Sequence, residues 1–323
     1  MSDDARQAVI FHDATKYYSL NDTELGDERI GIGDPTMRTE AIWQKDWDIK
    51  PFLYKVYETL PPIELARELP EAGRPALEAI AATGAQASGA EASGVVPDRT
   101  LLGRLGLLTN GSLDRTWTTR DGSVHHYRTA GGTGAQYHLE LYFVCTDLAD
   151  LDAGVYHYCA IDHSLRLLRR GEFRAALVDA TGNEPSIAAA PVVLVMTSTF
   201  WRNAWRYRER AYRHTYWDAG TSLSHILAAA ASAHVATELV FGYADPLVNA
   251  LLHIDGVRES TVALVALGND AGRPPNTPTF GRLELPTRRL SSAEVTFHSI
   301  TDMHLASCLR TGVEAAQWRA RRW

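Results

Sequence analysis

Residues 205–220 read WRYRERAYRHTYWDAG, and residues 221–236 read TSLSHILAAAASAHVA. Four arginines and five aromatic rings share the first sixteen positions, and the second run is almost entirely small or apolar. A chain of net charge −7 therefore gathers cations just where close packing begins. Small side chains such as Ala228 to Ser232 let neighbouring backbones approach. The pattern predicts one long helix over 202–236, jammed into a core or a dimer seam, with a start decorated by cation–π contacts.

The rest of the chain bounds what such a helix can belong to. At 323 residues it is long enough for one large domain or two modest ones, with a substantial core. A hydrophobic fraction of 45% against 22% charged is that of a globular protein. The sequence pI near 5.9 argues against a nucleic-acid partner. Cys145, Cys159 and Cys308 are scattered and odd in number, so no disulfide framework or Cys-x-x-Cys zinc spacing arises. The opening MSDDARQAVIFHDATK lacks an apolar run, and no run elsewhere is long enough to span a membrane. The expectation is a cytoplasmic protein.

Element signals alternate between β-branched runs and helical patterns. Extended, proline-closed WDIKPFLYKVYETLPPIELARELP (47–70) resembles an arm, following a turn-forming GIGDPT at 31–36. PALEAIAATGAQ (75–86) and TLLGRLGLLTNG (100–111) are helical, separated by the flexible ASGAEASGVVPD (87–98). TWTTRDGSVHHYRT (116–129) is a hairpin turning at Asp121-Gly122. Strands are expected at 137–146, twice within 154–171, at 190–200, near 234–242 and at 259–269, with short helices at 173–183 and 246–254 and a helical 291–319. Strands and helices mix without strict alternation, which indicates an α+β fold.

Two constellations carry chemistry. In RTAGGTGAQYHLELY (128–142), Gly131, Gly132 and Gly134 permit tight backbone approach, Thr133 supplies a hydroxyl, and Arg128 a charge-assisted donor. A plain glycine turn before a strand is the alternative. Arg206-Tyr207 opens the cation-rich stretch; packing of Tyr207 and pairing of Arg206 with Glu209 is the alternative there.

Taken in order, FHDATK (11–16), PFLYKVYETLPPIELARELP, RTAGGTGAQYHLELY, GVYHY, RYRERAYRHTYWDAG and VALVALG (262–268) resemble the SagB-type dehydrogenases of the FMN-dependent nitroreductase superfamily. The resemblance runs over most of the chain from Phe11. It implies a nitroreductase-like fold, a central mostly antiparallel sheet wrapped by helices. An N-terminal arm (1–75) would precede an FMN domain (76–323), and FMN would sit between the subunits of a homodimer. The implied activity is oxidation of azoline to azole rings in a ribosomally made peptide, with a cyclodehydratase as possible partner and dioxygen as acceptor.

Carried onto this sequence, the resemblance implies cofactor contacts from Arg128, Gly132, Thr133, Gly134, Gln136, His225, Gly242 and Tyr243; His12, His125, His126 and His157 lack metal-ligand spacing, so no metal is expected. Gly132 and Thr133 replace the Pro and Ser of the family's Pro-Ser-x-Gly loop. Arg206 replaces the lysine of a catalytic Lys-Tyr pair. Arginine stays protonated and cannot be a base, so the role of base falls to Tyr207, with Arg206 favouring its phenolate. The family's phosphate-gripping Arg-Arg-Ser run has no counterpart in AIAATGAQASG (79–89), and the Asn position after Asp-Ala-Gly holds His225. These departures support an alternative: a cofactor-poor subunit that keeps the fold for docking a peptide or an enzyme.

Overall fold

A computed structural model of the chain describes residues 3–15, 46–68, 74–86, 95–118, 122–269, 271–276 and 279–321. GIGDPT, Asp121 and residues 87–94 of the flexible stretch lie outside them.

The β-branched runs assemble into one sheet. In chain order its strands are β1 (Ile63–Glu64), β4 (Leu139–Cys145), β5 (Gly154–Cys159), β6 (Ser164–Arg170), β7 (Val192–Thr199), β8 (Thr237–Val240) and β9 (Glu259–Leu267). A separate hairpin joins β2 (Ser112–Thr118) to β3 (Val124–Arg128). The seven-stranded sheet has the order β1-β6-β5-β4-β7-β9-β8, and every neighbouring pair is antiparallel. At its centre β4, β7 and β9 are buried throughout, so their sequences are apolar on both faces rather than alternating. Register keeps the two faces distinct. Phe143, Leu194 and Val265 align across the three strands into one core, and Tyr142, Val195 and Leu264 into the other.

Helices cover both faces. On the first lie α3 (Arg99–Asn110), whose Asp98 cap accepts from Leu101 N at 2.7 Å, and the helix that carries Ala219, Leu223 and Ile226, with α2 (Ala76–Gln86) packed against that second helix. An ideal Cβ on Gly106 of α3 would fall 2.5 Å from the Tyr158 ring, which is why that position tolerates no side chain. On the second face lie α4 (Arg174–Ala180), α5 (Pro185–Ala189) and α8 (Asp245–Leu252). The arm is integral to this body: Leu53, Tyr54 and Leu65 are buried in the first core, and β1 pairs with β6.

The 202–236 helix departs from expectation. It is two helices, α6 (Phe200–Tyr207) and α7 (Ala211–Ser232), separated by a 3-10 turn over Arg208–Arg210. Arg208 sits at φ 50°, ψ −135°, a conformation that costs a non-glycine residue about 1–3 kcal/mol. Tertiary contacts hold the break. A helix the sequence reading did not anticipate, α1 (Asp3–Thr15), points its C-terminus at this turn. Arg210 donates to Thr15 O, and Arg213 to Thr15 Oγ1 at 2.7 Å and His12 O at 2.8 Å, so two cations of the opening stretch satisfy a helix end. The expected helix at 291–319 is also two, α9 (His298–Ser307) and α10 (Gly312–Ala320). Residues 291–297 are instead tied to the arm, where Ser291 Oγ donates to Ile49 O at 2.7 Å.

Candidate functional site

The break after Tyr207 determines where its side chain goes. As the last residue of α6, Tyr207 reaches the glycine loop, which turns through Thr133–Ala135 with Gly134 at φ 61°. An ideal Cβ on Gly134 would lie 2.3 Å from Tyr207 Oη, so the phenol tip occupies the space that the missing side chain leaves. The His214 ring meets the Tyr207 ring edge-on, at 4.7 Å and 88°. The Arg206 guanidinium lies 5.6 Å from the Tyr207 ring centre. Glu209 pairs with Arg208 (3.5 Å), and Arg206 has no carboxylate partner among the described residues.

A buried polar scaffold locks loop to helix. Asp218 on α7 accepts from Thr133 N (2.8 Å), Thr133 Oγ1 (2.7 Å) and His138 Nε2 (2.9 Å). Burial opposes its charge, but the His138 and Thr133 donors prevail and hold the carboxyl below its ordinary value. His138 in turn meets Ser198 Oγ at 2.9 Å through Nδ1. Asn203 on α6 donates from Nδ2 to Thr133 O (3.4 Å), which leaves its Oδ1 to accept from His214 Nδ1 (2.8 Å). Burial, followed by the nearby Arg210 charge, lowers the His214 pKa to about 4. The imidazole is therefore neutral near pH 7, with its proton on Nδ1 and a lone pair on Nε2. Asn203, His214, Asp218, His138 and Ser198 were not singled out from sequence. His214 and Asp218 stand four apart on one face of α7, a spacing legible in the opening stretch.

Of the residues expected at a site, the fold brings together Arg206, Tyr207, Gly132, Thr133, Gly134 and Gln136. Gln136 donates from Nε2 to Gly134 O (2.7 Å), and its buried Oε1 has no hydrogen-bond partner. The other four are engaged differently. Arg128, expected to offer its guanidinium to a ligand, spends it inside the chain on Asn110 Oδ1 and Leu53 O, both at 2.5 Å. Its faces lie against Tyr54 and Tyr137, so it clamps the arm to α3 and the hairpin. His225 Nδ1 donates to Leu108 O at 2.8 Å, joining α7 to α3. Gly242 lies under α10, where Arg319 donates to its carbonyl at 2.6 Å and a Cβ would fall 2.8 Å from the Arg319 side chain. Tyr243 is buried beside it, lining a small cavity with Trp318.

A cavity of about 850 Å³ borders α6 at Arg202. Arg202, the neighbour of Asn203, lines it with Lys55 and Tyr57 of the arm, Arg258 and Glu259 at the start of β9, and Arg288. Its wall is held by buried ion pairs. Lys55 Nζ meets Glu259 at 2.6 Å, and Arg202 donates to Glu140, which also accepts from His157 at 3.1 Å. Burial works against the Glu140 charge, yet Arg202 and His157 keep its carboxyl well below the ordinary range.

Residues 129–269, from the glycine loop to the end of β9, match the Nitroreductase family. The match covers somewhat under half of the chain, whose architecture is that of the nitroreductase fold. A crystal structure from Anabaena variabilis assigned to the nitroreductases superposes with TM-score 0.65 at 24% identity, covering 94% of this chain and 54% of that one. This chain thus spans about half the length of the Anabaena protein. A second nitroreductase assignment, from Ralstonia eutropha, gives TM-score 0.51 at 17% identity over 70% of this chain and 95% of that one. A Methanocaldococcus jannaschii protein named as a nitroreductase is 27% identical over 142 residues, 44% of this chain and 70% of its own length. No helix among the described residues is long and apolar enough to cross a membrane.

Proposed function

We propose that this nitroreductase-fold domain is an FMN-dependent oxidoreductase whose reaction centre lies where Tyr207 meets the glycine loop. The observation that carries the proposal is the seat of Tyr207 Oη in the space left by Gly134, beside a neutral His214. The donor set fits the edge of a flavin ring. Gln136 Oε1 is a buried acceptor lacking a donor, Gly131 would have no heavy atom within 4 Å of a Cβ, and Arg206 offers a cation. Bound FMN would supply the hydride acceptor. The chain's own part is then to hold the ring edge and to accept the substrate proton at Tyr207 Oη. The Arg206 guanidinium favours negative charge on that oxygen. Asp218, through Thr133, fixes the loop against which the phenol rests.

The substrate we propose is an azoline ring in a ribosomally made peptide, oxidised to the azole. The SagB-type segment order and the integral arm support this reading. The basic wall of the 850 Å³ cavity suits acidic residues of such a peptide. A homodimer with FMN between its subunits accounts for the separation of Gly242 and Tyr243 from the loop, because a second copy can supply that edge. Leu77, Ile80 and Trp217, all exposed, are the surface such a copy would cover. The reading is tested by assaying turnover of an azoline peptide by the Tyr207→Phe variant. Loss of a proton-transfer group predicts a fall of about 10²–10⁴-fold with FMN still bound; unchanged turnover removes Tyr207 from the chemistry.

A second reading is favoured by Arg128, whose guanidinium is consumed internally, and by α2, which carries no arginine. Both weaken the case for a phosphate grip and support a cofactor-poor subunit that docks a peptide or partner enzyme. A purified protein that neither carries nor binds flavin decides for it.

A further inference from the structure

Away from the Tyr207 site, three chemically distinct donors converge between α8 and α9. His304 lies in the last turn of α9 and Cys308 immediately caps that helix, four residues on. Asp245 is the first residue of α8. One ligand atom from each lies within 4.8 Å of the others. Backbone pairing brings the distant aspartate in: Asp245 N donates to Leu309 O and Leu309 N to Asp245 Oδ2, both at 2.9 Å.

The cysteine and histidine already stand at the spacing of two ligands in one coordination shell. Cys308 Sγ and His304 Nε2 are 3.5 Å apart. Two ligands on a tetrahedral zinc, at about 2.3 Å for sulfur and about 2.0–2.1 Å for nitrogen, stand about 3.5 Å from one another. The other ring nitrogen of His304, Nδ1, faces Tyr212 Oη at 3.4 Å, an outer partner able to accept the Nδ1 proton while Nε2 turns its lone pair to a metal. The Leu309 N–H orients the carboxylate in the same way. Asp245 and His304 also line a cavity of about 310 Å³ together with Tyr243 and Trp318, so a fourth ligand has room.

We propose that Asp245, His304 and Cys308 form a binding site for a divalent transition metal of the zinc class, with one position open to the cavity. The mixed nitrogen, sulfur and oxygen set selects zinc over magnesium or calcium. Binding replaces the thiol proton of Cys308, which leaves to solvent as the thiolate bonds the metal. His304 and Cys308 are four apart, but they stand 59 and 63 positions from Asp245, so the set of three is not visible in the sequence. The cavity is shared with Tyr243, which the flavin reading assigns to a second copy's flavin edge, but metal binding is read out without flavin.

The test is titration of chelator-treated, full-length protein with Co²⁺, followed by displacement with Zn²⁺. The expected result is one cobalt per chain, with thiolate-to-cobalt charge-transfer absorption that Zn²⁺ abolishes. Cys308→Ser should lose that absorption, and His304→Gln or Asp245→Asn should weaken binding by at least about 100-fold, beyond the 10–100-fold typical of outer-shell losses. Cys145→Ser and Cys159→Ser, in β4 and β5, should leave it intact. Zn²⁺ should raise the melting temperature of the wild type and not that of Asp245→Asn, a readout that holds if Cys308→Ser folds poorly. Absence of a stoichiometric cobalt complex, or its persistence in Cys308→Ser, overturns the proposal.

Discussion

Replacing Gly134 by alanine tests the contact on which the reaction centre rests. The residue sits at φ 61°, where an L side chain costs about 1–2 kcal/mol. The new Cβ would also fall 2.3 Å from Tyr207 Oη and 2.9 Å from Cε2, so the phenol must leave its seat. Forcing the ring off its rotamer adds about 0.5–1.5 kcal/mol. Gly134→Ala should therefore lose about 1.5–3.5 kcal/mol of stability in urea denaturation. In a Tyr207→Ala background only the backbone cost of about 1–2 kcal/mol remains. The double-mutant cycle should thus give a coupling of about 0.5–1.5 kcal/mol, the size usual for residues in contact. A coupling indistinguishable from zero would show that Tyr207 does not rest on Gly134, and the assignment of the site would fall with it.

Two further outcomes follow from the buried charges. Arg202→Met removes the ion-pair partner of buried Glu140, leaving it the His157 contact, and should cost about 3–5 kcal/mol by chemical denaturation near neutral pH; a cost below 1 kcal/mol would mean that the ion pair is dispensable. His214 is held at about 4 against an ordinary value of 6.5, so its contribution to stability is fully present above 6.5 and lost as pH falls toward 4, by up to about 1.4 kcal/mol per unit. Stability measured over that window should decline less steeply in His214→Gln than in the wild type, and parallel curves would place the charge-sensitive group elsewhere.

How much of this was legible depended on whether the cause was local. Val192–Met196 announced a central strand through a β-branched apolar run, and α3 announced itself through the helical pattern of residues 100–111. The glycine loop and Arg206-Tyr207 entered the reading through the resemblance, and in the structure Tyr207 Oη lies against Gly134. The break at Arg208 was not, because no glycine or proline marks it. Its cause is the end of α1, nearly two hundred residues earlier, gripped by Arg210 and Arg213. Arg128 looked available for the same reason: its partners, Asn110 and the Leu53 carbonyl, converge only in three dimensions. Cations in the opening stretch thus divide between holding a helix end, pairing locally and, at Arg206, facing Tyr207.

Equilibrium titration of the purified chain with FMN, followed by flavin fluorescence, puts the most at stake. The account predicts saturable binding at one flavin per chain. Gln136→Ala should weaken it about fivefold and Arg206→Ala about tenfold or more, as expected for a neutral and a charge-assisted hydrogen bond. No saturable binding, or binding untouched by either substitution, would contradict a flavin site at the Tyr207 seat.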